Sequence, residues 1–325
     1  MTRLGRYGCQ AAPGVPLASA DLTLTQGQPR SMVDMGARTN AIDVYGPPPS
    51  CGEAARDGWT RHFTVRHDGV TIPVSLGGRG RPLVLCPGLN STQADLRELT
   101  EALRRDHLVV TFDLRGHGLA SPAASRYSFD DFLSDLAAVM AEFDWSSPPV
   151  LVGYSLGADL AVHYAAEHPD SVAELVLIDG ANPLPEPFIT EADLEEFRAM
   201  AEGLATGRES EAAEGGTHQV ALTAEDIFDL CLEIDVVRAA ILHRYRRIHR
   251  PIHMIMSTAI AGGGAEARAT WRNQLWRAGV ERLVRELPQV STSRLDADHR
   301  LVFTHAPDIA DIIRTLPRPA GGTTS

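Results

Sequence analysis

"VLVGYSLGADLA", residues 150–161, decides how this chain is read. An unbroken apolar run ends in Ser155 and passes at once into helix-forming residues, with Gly153 and Gly157 two positions to either side. A strand that reverses into a helix within a residue or two forces its turn residue into a strained backbone. Side chains at the flanking positions would crowd that bend, and glycine at both relieves it. The serine hydroxyl is then held at the C-terminal edge of a sheet, facing a helix N-terminus that favours negative charge. Gly-x-Ser-x-Gly alone is a weak signal, but between an apolar run and a helical period it is a strong one.

Outward from this turn the pattern repeats. "PLVLC" (82–86), "HLVVTFD" (107–113), "PPVLVGY" (148–154) and "AELVLID" (173–179) are short apolar runs without alternation. Helical periods over about 91–105, 129–143 and 155–168 separate them, and Ser128, with Asp131 three residues on, caps the second. Such strands between helices predict a parallel sheet covered on both faces. Upstream, "RHFTVRHDGVTIPVSL" (61–76) reads as two strands around the turn His67-Asp68-Gly69.

After residue 182 the rhythm stops. Residues 183–250 are mostly helical in period and read as an inserted lid over the strand ends. Leu194, Phe197, Met200 and Leu204 share one helical face, as do Ile227, Leu230, Ile234, Val237 and Ile241. Most of these dock the insertion, and a few line a pocket. The basic run "HRYRRIHR" (243–250) reads as a solvated face. "PIHMIMST" (251–258) resumes the sheet, and a helix over about 265–286, a strand at "VSTSRLD" (290–296) and a helix over about 307–316 complete it. The core is thus assigned to 59–182 and 251–317. Residues 1–58 read as a flexible extension without sustained period, and 318–325 as a loose tail.

Composition narrows the function classes. The chain has 325 residues, 44% hydrophobic and 22% charged, values typical of a globular protein. Its 30 basic against 42 acidic side chains give a net charge of -12, which argues against general affinity for nucleic acid or anionic membranes. Cys9, Cys51, Cys86 and Cys231 form no Cys-x-x-Cys pair and no zinc-ligand spacing with histidine, and read as free thiols of a reducing compartment. No apolar run is long enough to span a bilayer, and the first residues lack the apolar core of a signal peptide. A cytoplasmic location is expected.

In three segments the chain resembles the α/β-hydrolase superfamily over about residues 59–317. "LVLCPGLNST" (83–92) is similar to the strand-to-loop turn that supplies one backbone donor of the oxyanion hole. "DLRGHGLAS" (113–121) matches the Asp-x-Arg-Gly-x-Gly-x-Ser loop after the next strand, and the turn at Ser155 is the third. The resemblance implies a mostly parallel eight-stranded sheet, helices on both faces and a helical lid. It also implies Ser155 as nucleophile, the N–H groups of Leu89 and Leu156 as oxyanion donors, and a base after the last strand, where His299 stands.

The acid departs from the usual pattern. After the strand that follows the lid, "STAIAGGGAEARA" (257–269) contains no aspartate, and Glu266 is its first carboxylate. Some members place the acid at the end of the strand after the nucleophile helix, where this chain has Asp179. Asp179 is preferred because it needs no unusual loop, with Glu266 as the alternative. Asp296 and Asp298 lie too near His299 in sequence to reach its far ring nitrogen.

A serine nucleophile disfavours dehalogenation and epoxide opening, which use a carboxylate at this turn, and leaves acyl chemistry with no metal or organic cofactor. The leading expectation is hydrolysis of a small carboxylic ester or lactone. One alternative is a thioesterase or off-loading hydrolase acting on acyl chains bound to a carrier protein. Another is a non-catalytic binding protein that retains the fold.

Overall fold

The computed structural model describes residues 59–212, 217–263 and 266–317. The extension read over 1–58, with Cys9 and Cys51, and the tail 318–325 lie outside the described residues. Eight strands form one sheet: β1 (Thr60–His67), β2 (Val70–Gly78), β3 (Arg81–Cys86), β4 (His107–Phe112), β5 (Val150–Tyr154), β6 (Glu174–Ile178), β7 (Ile252–Ser257) and β8 (Val290–Leu295). Their order is β1-β2-β4-β3-β5-β6-β7-β8. β1 and β2 form a hairpin whose turn residues Asp68 and Gly69 both have positive φ, as a tight hairpin requires. β2 runs antiparallel to β4, and every pairing from β4 to β8 is parallel.

The helices are α1 (Arg97–Leu103), α2 (Phe129–Ala141), α3 (Leu156–Glu167), α4 (Leu194–Ala212), α5 (Ala224–Ala240), α6 (Leu242–Tyr245), α7 (Ala267–Glu286), α8 (Leu301–Thr304) and α9 (Ala306–Thr315). Strand residues alternate between two cores. Val84, Leu151 and Leu175 pack with Leu136 of α2, Leu160 of α3 and Leu283 of α7. Leu83, Val152 and Val176 pack with Leu99 of α1, Leu301 of α8 and Ile309 of α9. Cover on both faces is why these strands are apolar without alternation. Among the described residues no helix is long and apolar enough to cross a membrane.

Several elements differ from the sequence expectation. The helix expected from residue 91 starts at Arg97. Before it, Asp95 draws the N–H and hydroxyl of Thr92, and the Gln93 N–H bonds Asp113 Oδ1, so side chains compete with the helical ladder. The long helical period after residue 223 breaks at Ile241 into α5 and α6. His305 separates α8 from α9 as the N-cap of the latter. The Ser128 cap is present, with its Oγ accepting the Asp131 N–H at 3.2 Å.

The helices α4 to α6 occupy the β6–β7 connection. Ile227, Leu230, Ile241 and Tyr245 are buried in the core shared with α2, α3 and α7. The Tyr245 hydroxyl donates to the Ala181 carbonyl at 2.7 Å, and Arg238 grips the fully buried Asp159 of α3.

Candidate active site

Ser155 stands between β5 and α3 with φ 51° and ψ -118°. For a residue with a Cβ such a backbone costs about 1–3 kcal/mol and persists only where its surroundings over-determine it. Three strand-end loops do so here. A Cβ on Gly153 would lie 2.2 Å from the Gly157 carbonyl oxygen, so that glycine relieves the bend itself. A Cβ on Gly157 would lie 2.4 Å from the Cys86 oxygen and 2.5 Å from that of Pro87. Gly157 is therefore needed for the close approach of the loop after β3, a different reason from crowding within the bend. Gly180, unremarked in the sequence, presses on the Ser155 carbonyl oxygen, where a Cβ would lie at 2.3 Å.

His299 lies in the turn between β8 and α8. Its Nε2 is 2.9 Å from Ser155 Oγ and its Nδ1 is 2.9 Å from Asp179 Oδ2. With the proton on Nδ1 the imidazole donates to Asp179 and its Nε2 accepts the serine O–H. Asp179 follows β6, is fully buried and has φ 46°. It also accepts the Ser257 N–H at 3.1 Å, the Ser257 hydroxyl at 2.8 Å and the Trp276 indole N–H at 3.1 Å. Tyr154 holds the histidine turn by donating its hydroxyl to the His299 carbonyl at 2.8 Å. Burial, with the nearby Asp179 charge, pushes the Tyr154 phenol well above its ordinary value and keeps it a donor.

Of the two candidate acids, the one beside His299 is Asp179. Glu266 is exposed at the N-cap of α7. Asp296 accepts the Thr258 hydroxyl and Asp298 the Arg300 N–H.

Leu89 lines the same cavity as Ser155 and His299. Leu156 is the first residue of α3, where a backbone N–H has no intrahelical acceptor. Beside Leu89, Asn90 has φ 59° and donates its N–H to His117 Nε2 at 3.1 Å, while His117 Nδ1–H donates to the Arg115 carbonyl at 3.0 Å. Burial lowers the His117 pKa to about 4, so the ring is a neutral fastener of this loop. From α4, Arg208 donates to the Asn90 carbonyl at 2.6 Å. Burial raises the Cys86 thiol far above its ordinary value, and a buried thiol of this kind is inert.

The cavity measures about 320 Å³. Its apolar wall includes Phe188, Phe197, Met200, Ile234, Ile260 and Trp276, and its polar side chains are Glu196, Asp235, Arg238 and Arg272. Phe197, Met200 and Ile234 come from the stripes noted in the sequence, whereas Leu204 does not line the cavity. The basic run 243–250 lies away from the cavity and pairs with surface acids, Arg244 with Glu167 and Arg250 with Asp170.

Residues 81–225 match the family model described as alpha/beta hydrolase fold. Over this stretch the chain is similar to the α/β-hydrolase superfamily. Among curated relatives, 2-(acetamidomethylene)succinate hydrolase of Mesorhizobium japonicum is 31% identical over 39% of this chain and 46% of its own length. Pimeloyl-[acyl-carrier protein] methyl ester esterase of Chromobacterium violaceum is 37% identical over 31% of this chain and 37% of its own. These matches span about half or less of the relatives' length. The thioesterase domain from the curacin biosynthetic pathway shares the fold at a TM-score of 0.55, with 18% identity, over 79% of this chain and 100% of that one.

Trp276, Ser257, Tyr154 and Gly180 escaped sequence reasoning. Each is an ordinary residue of a helix, strand or loop, and only chain folding brings it to the site.

Proposed function

We propose that this α/β hydrolase cleaves a carboxylic ester or lactone through an acyl-enzyme formed on Ser155. One observation carries this: the continuous relay of 2.9 Å contacts from Ser155 Oγ through His299 to Asp179. His299 Nε2 takes the serine proton as Oγ attacks the carbonyl carbon, and Asp179 orients the ring and offsets the charge of the imidazolium. The Leu89 and Leu156 N–H groups receive the oxyanion. The imidazolium then returns the proton to the leaving alkoxide, and a water activated by His299 releases the acid. The insertion over 183–250 acts as the lid whose side chains select the substrate. The core over 59–182 and 251–317 supplies the chemistry.

Thioester cleavage on a carrier-bound acyl chain is the second reading. The same nucleophile serves it, and one relative is named for an acyl-carrier ester. Purified protein is expected to hydrolyse p-nitrophenyl butyrate and to be labelled by a fluorophosphonate. Ser155→Ala should remove both, with a loss of about 10⁴-fold or more in kcat. Absence of both in the wild-type chain would return the protein to the class of ligand binders.

A further inference from the structure

The loop after β3 runs directly over the nucleophile: a Cβ on Gly88 would lie 3.0 Å from the Ser155 Cβ. Three successive peptide groups of this loop are each fastened by a different partner. The Gly88 carbonyl accepts the hydroxyl of the buried Ser91 at 2.9 Å and its N–H at 3.3 Å. A trans peptide is planar with its C=O and N–H opposed, so this fixes the direction of the Leu89 N–H. The Asn90 N–H goes to His117 Nε2 at 3.1 Å, and the Asn90 carbonyl accepts from Arg208 Nη2 at 2.6 Å. Ser91 and His117 belong to the core, whereas Arg208 comes from α4 of the insertion, 118 positions from Asn90. Its guanidinium, 13% exposed, also gives Nη2 to Asp95 Oδ2 at 2.9 Å and Nη1 to the His218 carbonyl at 2.9 Å. Asp95 in turn accepts the Thr92 N–H at 2.8 Å, so Arg208 holds the loop at Asn90 and again, through Asp95, at Thr92. The stretch after α4 lies against the loop that carries His117. There the Gly118 N–H donates to the Gln219 carbonyl at 2.8 Å and the Ala221 N–H to that of Gly116 at 2.7 Å. Both polar backbone groups of Asn90 are thus held from one joint between insertion and core. Asn90 has φ 59°, a conformation that a residue with a Cβ keeps where its partners impose it.

We propose that Arg208 is a positioning residue for the oxyanion donor at Leu89, so that the insertion governs the rate of the acyl step as well as the choice of substrate. The proposal rests on the hydrolase reading, with Leu89 as one of the two donors. Arg208 does not line the cavity beside Ser155, so it acts through the loop and not by contact with substrate. An oxyanion donor works by standing where charge develops in the transition state. A loop released at Asn90 lets that N–H drift. Transition-state binding then weakens more than ground-state binding, which lowers kcat with little change in KM.

The test compares the wild-type chain with Arg208→Met, which keeps the aliphatic stem, and Arg208→Lys, which keeps a cationic donor, on p-nitrophenyl acetate and octanoate. Arg208→Met should lose about ten- to thirtyfold in kcat on both esters with KM within about twofold, short of the roughly 10²–10³-fold cost of removing a donor outright. Arg208→Lys should recover most of that loss. Inhibition by an alkyl trifluoromethyl ketone, whose adduct with Ser155 carries the oxyanion, should weaken in Arg208→Met by about the same factor as kcat/KM. A loss confined to octanoate, or a rise in KM at unchanged kcat, marks a role in shaping the cavity and overturns the proposal. If Arg208→Met does not fold, as read by circular dichroism, Arg208→Gln, too short to span Asn90 and Asp95, is judged by the same criteria. A wild-type chain that turns over neither ester removes the hydrolase reading and the proposal with it. An active wild type whose kcat is indifferent to the loss of Arg208 overturns the proposal alone.

Discussion

The turn at Ser155 and the helices α4 and α5 border the same cavity but are fixed by different forces. At the turn, backbone presses on backbone. Gly153, Gly157 and Gly180 leave no room for a Cβ, and the strained φ of Ser155 is held by loops from three strands. In the insertion, side chains pair across gaps through Arg238 with Asp159, Arg272 with Glu196 and Arg208 with Asp95. Steric contact of the first kind has one solution and suits a group whose position must hold within tenths of an ångström. Ion pairs of the second kind tolerate replacement by other pairs, which suits a wall whose chemistry differs from one substrate to another.

The largest expected effect lies on the rigid side. Asp179→Asn should lower kcat/KM by about 10³–10⁴-fold with the fold retained, because the amide disturbs the tautomer and charge balance of His299. Glu266→Gln should leave it unchanged. Steady-state kinetics on both variants, with circular dichroism as control, would reverse the assignment if Glu266→Gln alone lost activity.

The next effect lies at the joint between the two regions. Asp159→Asn leaves the Arg238 guanidinium beside a buried amide, and breaking such a pair costs about 3–5 kcal/mol. Urea unfolding should show that loss, and the double variant Asp159→Leu/Arg238→Met should recover most of it. A full loss in the double variant would show that packing, not charge, holds the joint.

The smallest effect belongs to His117 under the Leu89 loop. Its folded pKa is about 4 because it is buried, against an ordinary value near 6.5. Between those values the unfolded chain takes up a proton that the folded chain does not. The contribution is therefore complete above about pH 6.5 and is lost as pH falls toward 4, by about 2–3 kcal/mol. His117→Gln should flatten that slope in unfolding measured from pH 7 to 4. Comparing the two chains separates His117 from Asp113, whose carboxyl is raised by burial to about 6 and acts in the opposite sense.

Much of this was legible in the sequence because it is written locally. Apolar runs without alternation mark strands covered on both sides, and Gly-x-Ser-x-Gly marks the bend. Asp179 was readable as a strand-end carboxylate and preferred on that ground, but its 2.9 Å contact with His299, 120 positions along the chain, is set by the fold. The start of α1 was misjudged because Asp95 and Asp113 pull the preceding residues into turns, a competition that periodicity does not register.

By itself the sequence determined the order of strands and helices and the sharp turn at Ser155, and offered Asp179 and Glu266 as candidate carboxylates, since each depends on neighbours within a few residues. Tertiary structure alone set Asp179 rather than Glu266 beside His299, brought Trp276 and Ser257 onto that carboxylate, and paired Arg238 with Asp159 and Arg272 with Glu196. Those outcomes depend on distances across the sheet and the insertion, and separation along the chain carries no measure of them.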